Sequence, residues 1–204
     1  MKTNKILVAT QNRNKFREIV KLNTIDKLEF LYKKNLIDIV EDGNNFFENA
    51  YKKAYETAKY YRMVSMADDS GLVVDALNGA PGIYSARYAG KEKNDKKNNT
   101  KLLRKLKNKL NRKARFKAII VLARPDGKYW KAEGVCEGYI TTEPKGENGF
   151  GYDPIFKIDR FNKTMAQLSL EEKNLISHRG KSIRKMLDKI DQNFTEIFKG
   201  GINE

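Results

Sequence analysis

The apolar positions of the chain fall into short runs and helical stripes, and their spacing predicts most of the elements. KILVAT (5–10) has the pattern of a buried strand. Asn12 follows as a helix cap, with Phe16, Ile19 and Val20 spaced as one helical face. LEFLY (28–32) and LIDIV (36–40) read as two further short strands. Asn45, with Glu48 three positions on, has the form of a capping box and opens a helix to about Tyr61. VSMA (64–67) and LVVDAL (72–77) are apolar runs on either side of Asp68 and Asp69. Leu102, Leu103, Leu106 and Leu110 share one face of a helix at 3.6 residues per turn. Residues 114–141 read as a hairpin turning at Pro125-Asp126-Gly127, and Ser169 with Glu172 opens a C-terminal helical region. Strands alternating with helices, plus one hairpin, predict a mixed α/β sheet. There is no internal repeat and no Pro/Ser-rich linker, so one domain over 1–204 is expected.

Composition narrows the class. With 40% apolar residues in 204 positions, the chain is long enough for a sizeable core. The single cysteine, Cys136, excludes an intrachain disulfide. MKTNKILVATQ lacks the apolar stretch of a signal peptide, and no run approaches the roughly 20 apolar residues of a membrane span. A soluble, cytoplasmic protein is the expectation. Of the net charge of +15, residues 91–117 carry +11, with 13 Lys and Arg against Glu92 and Asp95. This segment reads as an amphipathic helix with a solvated basic face. A nucleic-acid patch is the competing reading, but the interleaved aromatics of single-strand binders are missing.

Two stretches carry chemistry. TQNRNK (10–15) surrounds a strand-to-helix turn, where free N–H groups and Lys15 would favour a phosphate. Gly180-Lys181-Ser182 resembles the end of a P-loop, but its first glycine would fall on Leu175, which excludes a Walker site. One histidine, His178, and one cysteine argue against zinc, so a metal would be held by carboxylates, as magnesium is. Asp68 and Asp69, placed at a strand end, repel each other unless a cation or hydrogen bonds compensate. Successive strand residues point to opposite faces, so one of the two turns toward a site, and alternation does not choose which.

The motifs ILVATQNRNK, FFENAYKKA, ADDSGLVVDALNGAPGIYSARYAG, GENGFGYDPIF and LSLEEKNLISHRGKS, in this order over about 5–190, resemble the inosine/xanthosine triphosphate pyrophosphatase family, also called Ham1. The resemblance implies an elongated mixed β-sheet flanked by helices, two lobes around a central cleft, and a homodimer. It further implies Mg²⁺-dependent hydrolysis of ITP, dITP and XTP to monophosphate and pyrophosphate. Carried over by position, the turn Thr10, Gln11, Asn12, Arg13, Asn14 and Lys15 binds substrate, with Thr10, Asn12 and Lys15 on the phosphates. Asp69 is implied as the acid that binds metal and activates water, with Ser70 beside the substrate. Phe150, Gly151, Tyr152 and Asp153 would line the base pocket, and Lys173, His178 and Arg179 would complete the contacts, Arg179 donating to the C6 oxygen and Tyr152 offering a stacking ring. Family members often have Gly where this chain has Gln11, and many carry a second acid where Val40 stands. The second metal carboxylate is accordingly expected at Glu41, with Glu48 in reserve. Two other readings remain: a Maf-like pyrophosphatase with another base preference, and a nucleic-acid-binding module using 91–117. No membrane partner is expected.

Overall fold

The computed structural model describes residues 3–199. Met1 and Lys2 of MKTNKILVATQ, and residues 200–204 of the expected domain, lie outside the described residues. Seven strands form one mixed sheet in the order β2-β1-β3-β4-β5-β6-β7. They are β1 (Asn4–Val8), β2 (Leu28–Leu31), β3 (Ser65–Val74), β4 (Lys113–Ala123), β5 (Tyr129–Ile140), β6 (Phe156–Ile158) and β7 (Lys163–Thr164). β1 pairs in parallel with β2 and β3, while β5–β6 and β6–β7 are antiparallel. Among the described residues six α-helices accompany the sheet: α1 (Arg13–Lys21), α2 (Phe46–Tyr61), α3 (Asp95–Lys105), α4 (Leu170–Ile176), α5 (His178–Gln192) and α6 (Phe194–Ile197). Among the described residues no helix is long and apolar enough to cross a membrane.

The chain divides into two compact units. The first comprises residues up to Asp69, Ala118–Gly134 and those from Arg179 on. Its core is built from Ile6 and Val8 of β1, Ile19 of α1, Leu28 and Phe30 of β2, Val64 and Met66, Ile120 and Leu122 of β4, and Ile183, Met186, Leu187 and Ile190 of α5. α2 lies on small buried residues, Ala50, Ala54 and Ala58, which recur every four positions and let the helix approach closely. The Arg124–Lys128 turn between β4 and β5 closes with the Lys128 carbonyl accepting from Arg124 N–H at 2.8 Å, and Gly127 adopts the left-handed φ of +90° that the turn requires.

The second unit comprises Ser70–Lys117 and Val135–His178. Its core joins Leu72 and Val74 of β3 to Leu102 and Leu106, Phe116 of β4, Cys136 and Ile140 of β5, Phe156 and Ile158 of β6, and Met165. Ser169 and Glu172 form a complete capping box at the start of α4, as their spacing predicts.

Three expectations change. LIDIV forms no strand; the chain there is irregular, and Val40 is 66% exposed. Residues 65–67 of VSMA and 72–74 of LVVDAL belong to one strand that runs through Asp68 and Asp69, so the acids sit in mid-strand rather than at a strand end, and Asp75–Leu77 leave it as a 3-10 turn. α3 ends at Lys105, and Leu110, expected on its apolar face, is fully exposed beyond the helix. Run length and periodicity do not fix where an element stops; packing of Leu102 and Leu106 into the second core does.

Candidate functional site

In the first unit, the parallel pairing of β1 with β3 sets Val8 opposite Met66, so the turn after β1 leaves the sheet near the point where β3 presents its two acids. Asn12 caps α1: its side-chain oxygen accepts from Asn14 N–H at 2.9 Å and Lys15 N–H at 3.2 Å, while Thr10 Oγ1 accepts from Asn12 N–H at 3.2 Å. Gln11, Asn12, Arg13 and Asn14 are exposed, and Tyr32 donates to the Gln11 carbonyl at 3.3 Å. The turn is therefore a solvent-facing helix N-terminus with Lys15 behind it.

The two aspartates have opposite surroundings. Asp68, 4% exposed, accepts from Lys15 Nζ at 2.9 Å and faces the Arg179 guanidinium, whose Nε and Nη2 lie 3.4 Å from Asp68 Oδ2. Burial pushes its carboxyl up, but Lys15, Arg179 and Lys53 together outweigh burial and hold it well below the usual carboxylate range. Burial also lowers the Lys15 ammonium, against the upward pull of Asp68. Asp69, 7% exposed, turns instead to α2, where Asn49 Nδ2 donates to it at 3.1 Å. Burial raises its carboxyl above the ordinary value, with Lys53 and Lys15 opposing and Glu41 adding to the rise. One acid is held well below its ordinary value; its neighbour is pushed above it.

Four residues that the sequence reading did not single out organise this cluster. Asn49 bridges Gly43 N–H, at 2.8 Å, and Asp69. Lys53, one turn further along α2, donates to the Asp68 carbonyl at 2.7 Å and pairs with Glu41 at 3.4 Å. Glu18, 3% exposed, accepts from Arg179 Nη1 at 2.6 Å. A Cβ on Gly43 would meet Glu48 Cβ at 2.7 Å and Asn49 Oδ1 at 2.8 Å, so the approach of this segment to α2 requires glycine. The i, i+4 spacing of Asn49 and Lys53 in FFENAYKKA is the sequence signal that could have found them. Glu48 itself is occupied as a cap, accepting from Asn44 N–H at 2.8 Å and Asn45 Nδ2 at 2.6 Å.

Arg179, expected to donate to the base, is held by two carboxylates. It is 2% exposed and engages Glu18 and Asp68, so its guanidinium belongs to the anionic cluster of the first unit. Two buried carboxylates account for that position, since each loses too much on burial without a cation.

In the second unit, Phe150, Gly151, Tyr152 and Asp153 form a loop whose shape is held from inside. Asp153 Oδ2 accepts from Phe150 N–H at 2.9 Å and from Lys173 Nζ at 2.8 Å, and Lys173 Nζ sits 4.7 Å from the Phe150 ring centroid. Gly149, at φ +79°, lies so close that a Cβ there would be 2.1 Å from Asp153 Oδ2. Tyr152 is 4% exposed within the second core and donates to the Ser85 carbonyl at 2.8 Å, and burial raises its phenol. Phe150 is half-buried and so the more accessible of the two rings. His178 stacks on Phe116 at 4.6 Å with an 11° interplanar angle. Ser70, half-buried, follows Asp69 directly on β3.

Among the described residues, no group of three or more His, Cys, Asp or Glu gathers as a metal site. Asp69 accepts from Asn49 and Glu41 pairs with Lys53 at 3.4 Å; two such carboxylates are the number a small hard cation takes when water and phosphate oxygens complete its shell.

The Ham1 family model matches residues 6–189. A curated protein of Desulforamulus reducens named dITP/XTP pyrophosphatase is 44% identical over 192 residues, covering 90% of this chain and 94% of its own. A protein of the same name from Halalkalibacterium halodurans is 50% identical over 190 residues, 90% of this chain and 96% of its own. Among solved structures, the Ham1 protein of Staphylococcus aureus superposes with a TM-score of 0.85 at 41% identity, covering 93% of this chain and all of that one. A HAM1 protein of Coxiella burnetii gives 0.87 at 38% identity, with the same coverage.

Proposed function

The chain belongs to the Ham1 family, and on that premise we propose that it hydrolyses the triphosphates of deaminated purines, ITP, dITP and XTP, to the monophosphate and pyrophosphate. The observation that carries the reading is the division of Asp68 and Asp69: Asp68 is held by Lys15 and Arg179, whereas Asp69 turns to Asn49 of α2, on the side of Lys53 and Glu41, and burial pushes its carboxyl up. Asp69, raised by burial, takes the proton of the attacking water. The water oxygen bonds to the α-phosphorus, the bond to the bridging oxygen breaks, and pyrophosphate leaves. Lys15, Lys53 and the solvent-facing N-terminus of α1 supply positive potential for the triphosphate. Asp68, fixed as an anion, holds Lys15 in place. The donor pair Asp69 and Glu41 fits Mg²⁺, which when bound neutralises phosphate charge and lowers the pKa of water. In the second unit, the Phe150 ring and the 146–153 loop offer a planar, partly polar surface suited to a purine.

Cleansing of the nucleotide pool, a homodimer and a cytoplasmic location belong to the same proposal and rest on the family resemblance; sedimentation velocity reads the dimer directly. The central test is turnover of purified protein with Mg²⁺ on ITP, dITP, XTP, GTP and ATP, scoring pyrophosphate against orthophosphate. Pyrophosphate from the first three, and little from the last two, is the expected result. Asp69→Asn should lower that turnover by about 10²-fold or more, and near-normal turnover in the variant removes Asp69 from the role.

A further inference from the structure

α3 opens on Asp95, and its first two turns bear on the 146–153 loop. Asp95 Oδ2 accepts the Gly151 N–H at 2.7 Å, and Asn99 Nδ2 donates to the Gly151 carbonyl at 3.1 Å. Both main-chain polar groups of one residue are thus held by two side chains at i and i+4 of a single helix. Gly151 has a φ of +65°, so its torsion sets the directions in which Phe150 and Tyr152 leave the loop. The helix is itself anchored. Asn94 caps it through Lys97 N–H at 2.9 Å, and Asn98 accepts from Ala89 N–H at 2.7 Å while donating to the Ala86 carbonyl at 3.1 Å. Asn98 and Asn99 are both buried, which places polar side chains on the inner face of a helix whose outer face is cationic. Of the two acids in the basic segment, Glu92 pairs with Lys97 in solvent, whereas Asp95 is directed at a backbone amide.

We propose that Asp95 and Asn99 are positioning residues for purine recognition: they hold the Gly151 backbone, and through it Phe150, without touching the reacting atoms. The inference rests on the reading that the 146–153 loop receives the base. Loosening the clamp then weakens base binding and blurs the choice between purines, while chemistry at Asp69 proceeds once substrate is bound.

The test compares wild type with Asp95→Ala, Asp95→Asn and Asn99→Ala, with Asn99→Ser in reserve should the alanine variant not fold. Steady-state kinetics on ITP and ATP, calorimetric binding of IMP and a thermal melt are measured for each. Asp95→Ala and Asn99→Ala are expected to raise KM for ITP and Kd for IMP about tenfold, with kcat within about twofold and a smaller ITP-to-ATP ratio of kcat/KM. Asp95→Asn keeps an acceptor oxygen but loses the charge, so it should stay close to wild type. If Asp95→Asn behaves like Asp95→Ala, or if melting falls while KM and the base ratio hold, the residues act only on helix stability and the proposal is overturned. A wild-type chain that neither hydrolyses ITP nor binds IMP overturns the base-site reading itself, and the clamp with it. Active wild type with unchanged variants overturns the clamp alone.

Discussion

Arg179→Ala is the substitution whose cost the structure specifies best. The guanidinium is 2% exposed and joins Glu18, 3% exposed, at 2.6 Å to Asp68, 4% exposed, at 3.4 Å. Removing one partner of a buried ion pair costs about 3–5 kcal/mol, because the remaining charge stays desolvated. The lower end applies here, since Asp68 keeps Lys15 at 2.9 Å and the main loss falls on Glu18. At about 2–4 °C per kcal/mol for a chain of this size, a loss of about 3 kcal/mol lowers the melting temperature by about 6–12 °C. Calorimetric melts at neutral pH in a chelating buffer read this apart from any ligand. Glu18→Gln in the Arg179→Ala background should recover part of the loss, giving a coupling energy above about 1 kcal/mol. The acid limb adds a second reading. Asp68 is held below its ordinary value, so its contribution is present at neutral pH and is lost as pH falls below that ordinary value toward the folded one. With one cation gone, its folded value rises and acid unfolding moves to higher pH. A variant melting within about 2 °C of wild type, with no coupling to Glu18, would refute the buried-triad account.

Three further outcomes follow from the same geometry. Asp69 is raised above its ordinary value of 3.8, so its ionised form costs stability above the raised value and nothing below pH 3.8; Asp69→Asn should melt higher than wild type at pH 7 and lose that advantage in acid, while abolishing stabilisation by added Mg²⁺. Glu41→Gln should reduce turnover and Mg²⁺ affinity, whereas Glu48→Gln, a cap on Asn44 and Asn45, should cost about 1 kcal/mol of stability with turnover intact; the reverse pattern, read by Mg²⁺ titration, moves the second ligand to Glu48. Gly149→Ala would drive a Cβ to 2.1 Å from Asp153 Oδ2 and should raise KM for ITP strongly, while Gly151→Ala, with no atom within 4 Å of the added Cβ, should cost about 1–2 kcal/mol of backbone strain in a thermal melt.

What the sequence made legible was local. Asn12, Asn45 and Ser169 were readable as caps because a cap and its N–H partner lie two or three positions apart. The Pro125-Asp126-Gly127 turn was readable for the same reason. The acids were visible as a pair, but their division was not, because Asp68 meets Lys15 across 53 positions and Arg179 across 111. Glu18 looks from sequence like one more solvated helix residue; only the fold buries it against Arg179. Tyr152 and Phe150 are both aromatic in one motif, and nothing in their spacing says that the first would be sealed into the core by Ser85. LIDIV has strand composition with no neighbour to pair, and composition alone does not supply one.

The two acids of β3 stand on a pleat, and a pleat counts. Delete one residue between Ser65 and Asp68 and the strand advances by one: Asp69 slides into the grip of Lys15 and Arg179, and Ser70 arrives beside Asn49, where Asp69 stood. Insert one instead and Asp68 takes the place beside Asn49, while the Ala67 methyl is presented to two cations. Neither change removes an acid from the chain. What it removes is the address of each, written as the number of peptide units from the point where β3 leaves β1 at Met66.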